Sequence, residues 1–111
     1  MPYVYVLVRK DLPPSQIAVQ AIHAAIELAR SSLSSAEEHP HVVLCGLNSE
    51  LQLFNALQKL QKAGIPHKPF FEADRDDELT AVAAGPVSGE DRRHFRRYHL
   101  LQDSRMEEVA A

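Results

Sequence analysis

Two short runs constrain the fold more than anything else in this chain: "YVYVLVR" (Tyr3 to Arg9) and "HVVLCGL" (His41 to Leu47). Both are dense in β-branched and aromatic residues, apolar at nearly every position, and too short for a helix to be preferred. Each reads as a strand buried on both faces. A sheet covered on both sides needs a layer on each, and the segments after these runs supply helices for them. "KDLPP" breaks the first strand, and Pro14 or Ser15 starts a helix running to about Ser32. After the second strand Asn48 or Ser49 caps another helix, where Ser49-Glu-Leu-Gln52 fits the capping-box pattern that satisfies orphan amides. Leu53, Phe54, Leu57 and Leu60 form its apolar face, and Gly64 followed by Pro66 ends it.

The second half continues with strands. "HKPFFEA" reads as a third strand, with Pro69 pointing to an edge or a bulge, and "LTAVAAG" as a fourth. Ser88 caps a last short helix, "GEDRRHFRRY", before "HLLQ" and a polar tail ending in "EEVAA". The low-propensity stretch "SSLSSAEEHPH" between the first helix and second strand reads as a mobile linker. The order β-α-β-α-β-β-α predicts a three-layer α/β/α sandwich around a four-stranded mixed sheet, with right-handed crossovers where strands run parallel. At 111 residues it forms one domain over 1–103, followed by a polar C-terminal tail at 104–111.

The totals exclude several classes. An apolar fraction of 45% with 24% charged residues is that of an ordinary globular protein. A net charge of −3 argues against a chain coated in basic residues for non-specific nucleic-acid binding, while leaving room for a local basic patch. Cys45 is the one cysteine, so no intrachain disulfide forms; with no signal-peptide pattern, a reducing cytoplasm is expected. No apolar run approaches the ~20 residues needed to cross a bilayer, so no membrane partner is expected. Gly46, Gly64, Gly85 and Gly89 are isolated, which excludes a phosphate loop or dinucleotide fingerprint. His39-Pro-His41 lacks further ligands at useful spacing, so no metal is expected there.

Polar residues on the first helix are Gln16, Gln20, His23, Glu27 and Arg30, at spacings of 4, 3, 4 and 3 that keep them on one face. One reading is the solvent face of an amphipathic helix, which suits Glu27 and Arg30. Gln16, Gln20 and His23 lie in the first two turns, beside the carboxyl end of the first strand, where α/β proteins bind ligands and helix amides favour an anionic group. A second candidate is "RRHFRRY", where a helix would bring Arg92/Arg96 and Arg93/Arg97 into one basic face for phosphates. The alternative is a solvated face balanced by Glu90 and Asp91.

"LVRKDL" followed by "IAVQAIHAA" resembles the opening signature of the archaeal/eukaryotic-type (type II) peptidyl-tRNA hydrolases. The resemblance continues through "LNSELQLFNALQKLQKAGIPHKPFFEA", "TAVAAGP" and "RRYHLL", and spans about residues 4–101 in order. It implies an α/β/α sandwich, hydrolysis of the ester between a peptide and the 3′ ribose of tRNA, no cofactor, and peptidyl-tRNA as partner. Carried over by position, it implies catalytic roles for Gln20, His23, Glu72 (in "EADRD") and Thr80, and it sets Gln16 where the family has a lysine. Lys10, Arg92, Arg93, Arg96 and Arg97 are the residues expected to hold tRNA. Two other readings stand beside this one. The chain is a non-catalytic RNA- or protein-binding module on the same fold, suggested by the missing lysine, or a homodimerising scaffold, suggested by the alanine-rich first helix.

Overall fold

The structure is a computed structural model and describes residues 2–33 and 39–102. Half of the linker expected around 31–40, residues 34–38, falls outside the described residues, as does the whole tail at 104–111. Strands β1 (Tyr3–Arg9), β2 (His41–Leu47), β3 (His67–Glu72) and β4 (Glu78–Val87) form one sheet in the order β2-β1-β4-β3. β1 and β2 are parallel, joined by helix α1 (Pro14–Ser32); β4 runs antiparallel to both β1 and β3. Helix α2 (Glu50–Ala63) connects β2 to β3.

Alternation along β1 divides the interior in two. Tyr5 and Leu7 join one core with Leu53, Ala56 and Leu60 of α2, while Val4, Val6 and Val8 join another with Ala24 and Leu28 of α1. This is the double burial expected of a near-continuous apolar strand. In the α1 layer the sheet offers Ala81 and Ala83, and the helix offers Ala24; all three are fully buried. With methyls alone between them, helix and strand approach closely, which puts the next turn of α1 against the start of β4.

The helix ends follow the sequence. Pro14 opens α1 at the position where its missing N–H costs nothing. Ser49 Oγ accepts from the Gln52 N–H, Gln52 Oε1 accepts from the Asn48 N–H, and Gly64 closes α2 at φ +70°. Two details of α2 and α1 differ from expectation. On α2 the buried stripe is Leu53, Ala56 and Leu60, with Leu57 half-buried and Phe54 exposed beside Phe71. On α1 the polarity is partly inverted: Gln20 is among the most buried residues, while Val19, Ile22 and Ile26 face solvent.

The last helix is also corrected. Gly89–Phe95 is a 3-10 helix, with three residues per turn rather than 3.6, and it stops before Arg96. Arg92 and Arg96 therefore do not stack at i,i+4, and no single arginine face exists. The segment is held by Phe95, 3% exposed, whose ring stacks on Tyr5 at 4.0 Å and 2°. Beyond it the chain returns along β2: the Gly46 N–H donates to the His99 carbonyl and the Leu101 N–H to the Leu44 carbonyl. This pairing covers the outer edge of β2 from Leu44 to Gly46.

Candidate functional site

A slip in the sheet register creates the polar cluster. Phe70 pairs with Ala81 and Phe71 with Leu79, so Thr80 has no opposite number on β3. The slip shows in the packing too: Leu79 belongs to the α2 core and Ala81 to the α1 core, two residues apart. Regular alternation would put them on the same face. Thr80 is the extra residue of a β-bulge, which re-aims its side chain toward α1.

There the hydroxyl of Thr80 donates to Gln20 Oε1 at 2.8 Å, with the Phe70 carbonyl 3.3 Å away. Gln20 Nε2 donates to Glu72 Oε2 at 2.9 Å and to Gln16 Oε1 at 3.2 Å. The four residues come from two turns of α1 and the adjoining ends of β3 and β4. Gln20 and Thr80 are both 0% exposed, Gln16 and Glu72 are half-buried, and His23 is exposed. A fully buried amide is tolerated because its oxygen and both of its N–H groups find partners. Glu72 is fixed a second time by accepting from the Asp74 N–H, which caps the 3-10 turn Ala73–Arg75. The Gln20 amide and then the Asp74 N–H hold the Glu72 carboxyl below the usual carboxylate range, helped by His23 and Arg75 nearby. His23 lies flat on Phe70 at 4.5 Å and 4°, which fixes the plane of its ring.

The structure thus brings Gln16, Gln20, His23, Glu72 and Thr80 into one neighbourhood and sorts them by access. Gln20 and Thr80 expose no atom, so their part is to hold Glu72 rather than to touch a ligand. Glu72, Gln16 and His23 are the groups a ligand can meet. Among the described residues, Gln16 Nε2 takes no partner and remains a free donor.

The RKDL segment, met in the sequence as part of a signature, supplies a neighbouring support through Arg9 and Asp11 to which sequence reasoning gave no role. Arg9, 8% exposed, grips Asp11 with two bonds of 2.9 and 3.0 Å and Glu78 at 2.7 Å. Asp11, burial notwithstanding, raises the Arg9 pKa, so this cation is permanent. Glu78 also meets Arg75 at 3.3 Å, and the turn back into β4 passes through Asp76 and Asp77 at φ 54° and 58°, a conformation aspartate tolerates. Opposite charges at Arg9 and Asp11 were the available signal; the Glu78 contact, 69 residues away, had none.

The expected tRNA-binding residues divide. Arg92 bonds the Tyr5 hydroxyl at 2.9 Å and covers the Tyr3 ring at 3.6 Å, so it is a structural strut on the α2 face. Arg93 bonds the Glu90 carbonyl and meets Asp91 at 3.6 Å. Arg96 is exposed on that face, away from Gln20. Lys10 and Arg97 come together instead, in a cleft of about 320 Å³ at the carboxyl ends of β1 and β2. Lys59 and Asn55 of α2 line it too, and neither was foreseen.

Among the described residues, no helix is long and apolar enough to cross a membrane, and no group of three or more potential metal ligands occurs. No curated protein matches the chain. Among solved structures it is similar to a protein of unknown function from Agrobacterium tumefaciens strain C58, with a TM-score of 0.69 and 11% identity over 91% of this chain and 98% of that one. That likeness concerns the fold alone. The family model described as Peptidyl-tRNA hydrolase PTH2 matches residues 3–97, which takes in β1, both helices, the bulged β4 and every residue of the Thr80–Gln20–Glu72 cluster. The chain belongs to the peptidyl-tRNA hydrolase PTH2 family.

Proposed function

We propose that this protein hydrolyses the ester between a peptide and the 3′ ribose of tRNA, with Glu72, His23 and Gln16 as the groups that meet the substrate. The observation carrying this reading is the buried relay from Thr80 through Gln20 to Glu72, which aims a carboxylate at the surface beside a free amide donor and an imidazole. Holding an anion at fixed geometry on a buried, hydrogen-bonded amide costs a core position that leucine could fill. Such an arrangement is suited to preorganising a reacting group.

Glu72, ionised at neutral pH, accepts a hydrogen bond from the attacking water and orients it toward the ester carbonyl. Its lowered pKa makes it a weak base, so in this mechanism His23 takes the water's proton and returns one to the departing ribose oxygen. Gln16 Nε2 donates to the oxyanion of the tetrahedral intermediate. Gln20 and Thr80 are positioning residues. The test is peptide release from diacetyl-lysyl-tRNA at low protein concentration. Enzyme-like rates that fall for Glu72→Gln and His23→Ala support the proposal, and rates equal to buffer at high protein concentration refute it.

A second reading, a non-catalytic RNA- or protein-binding module, is favoured by Gln16 occupying the family's lysine position, since a neutral amide stabilises an oxyanion less than a charged donor. Gln16→Lys separates the two. A weakened hydrolase gains rate, by about tenfold or more given what one such donor contributes, whereas a pure binder gains none. A third reading, a scaffold that pairs two copies through α1, is supported by the exposed Val19, Ile22 and Ile26. Sedimentation giving only monomer dismisses it.

A further inference from the structure

We infer that Glu50, in the first turn of α2, is a positioning residue for the cluster on the other side of the sheet: it holds the strand where the bulge aims Thr80 at Gln20. Glu50 Oε2 accepts the backbone N–H of Leu79 at 2.8 Å, across 29 residues of sequence. The β1 ladder ends at the pair Val8 and Ala81, so beyond it the β1-facing side of β4 has no strand to bond. Side chains take over there. Glu50 receives the Leu79 N–H, and Arg9 Nη1 lies 3.4 Å from the Leu79 carbonyl. Leu79 is 0% exposed, so neither peptide group can turn to water instead.

The grip falls beside the bulge. Ala81, on the far side of Thr80, is fixed by pairing with Val8 on one flank and Phe70 on the other. Leu79 pairs on one flank only, with Phe71, and its other flank rests on Glu50 and Arg9. An inserted residue is aimed by the peptides on either side of it. The hydroxyl of Thr80 meets Gln20 Oε1 at 2.8 Å, and a displacement of about 1 Å takes such a bond out of range. Gln20 in turn places Glu72. A glutamate opening a helix has an ordinary use, since its charge suits the amide end of the helix dipole. That use does not require the carboxylate to reach into the sheet and close on a buried peptide N–H. The effect of Glu50 on catalysis rests on the hydrolase proposal; its effect on the geometry of Thr80, Gln20 and Glu72 does not.

The test compares Glu50→Ala, Glu50→Gln and Ser49→Ala in the full chain. Glutamine keeps an oxygen that accepts from the Leu79 N–H, and Ser49→Ala removes the cap of the same helix end without touching Leu79. By NMR on isotope-labelled protein, Glu50→Ala should quicken exchange of the Leu79 amide by about tenfold or more, the weight of one bond to a charged acceptor. It should also shift the Gln20 side-chain amide and raise the pH at which the Glu72 carboxyl titrates, because Gln20 then donates less firmly. In peptide release from diacetyl-lysyl-tRNA it should lower kcat by about tenfold or more and leave KM in place, the mark of misplaced reacting groups. Glu50→Gln should restore most of each quantity, and Ser49→Ala, though it melts lower, should change none of them. A Gln20 amide and a Glu72 titration that match the parent in Glu50→Ala overturn the inference. So does Ser49→Ala moving them as far, which would assign the effect to the helix end. A parent that releases no peptide, while Glu50→Ala still shifts Glu72, refutes the hydrolase proposal and upholds the positioning. An active parent beside a Glu50→Ala protein of full kcat refutes the positioning alone.

Discussion

Replacing Thr80 by valine removes one hydroxyl and preserves shape, so it isolates the bond at the base of the relay. Gln20 Oε1 then loses its 2.8 Å donor in a place with no solvent, because both residues are 0% exposed. Leaving a buried acceptor unpaired costs about 1–3 kcal/mol. In a domain of this size each kcal/mol lowers the melting temperature by about 4 °C or more, so Thr80→Val should melt roughly 4–12 °C lower. Gln20→Leu works from the other side and should cost less, about 1 kcal/mol, because the hydroxyl of Thr80 can turn to the Phe70 carbonyl at 3.3 Å and leucine fills the cavity. The double variant has no unpaired group on either side, so its cost should fall short of the sum by about 1 kcal/mol or more. Urea unfolding followed by circular dichroism measures all three. Peptidyl-tRNA hydrolysis should rank them oppositely, since Gln20→Leu releases Glu72 and Thr80→Val leaves that bond in place. Costs that add within about 0.5 kcal/mol, or a Thr80→Val protein as stable as the parent, would refute the relay.

Three further outcomes follow from individual contacts. Gln20 and the Asp74 N–H lower the folded pKa of Glu72 relative to the unfolded chain, so its stabilising contribution is complete at neutral pH and is lost as pH falls through the folded value; Gln20→Leu should move the acid limb of the hydrolysis profile to higher pH. Burial pushes the Cys45 thiol up to about 11 at 1% exposure, so Ellman's reagent at pH 8 should titrate it only after unfolding, and rapid reaction of the native protein would contradict the core placement. Phe95→Ala, which deletes the ring stacked on Tyr5, should cost about 3–5 kcal/mol in thermal unfolding.

Why the layers were legible and the site only half so comes down to what a local pattern encodes. Val4, Val6 and Val8 face one helix and Tyr5 and Leu7 the other, and that double burial is written directly in six apolar letters, Tyr3 to Val8. Caps are equally local: Ser49 and Gly64 act through neighbours within four residues. Gln16, Gln20 and His23 were visible as a stripe for the same reason, but their fates were not. Whether a polar residue on a helix is solvated or sealed depends on what packs above it. Here that is set by Ala24, Ala81 and Ala83, whose small size lets α1 sink onto the sheet until Gln20 loses all exposure. The bulge at Thr80 is likewise invisible in "ELTAVAAG", because it exists only as a mismatch between two strands. The arginine run misled in the complementary way: "RRHFRRY" looks like one face at 3.6 residues per turn, yet Phe95 must reach Tyr5, and the tighter 3-10 winding that delivers it scatters the cations. Asn55 and Lys59 likewise form a polar edge of α2, and only the fold brings Lys10 and Arg97 beside it. A site assembled from remote pieces therefore shows only once the fold sets its parts side by side, as α1, β3 and β4 do around Gln20.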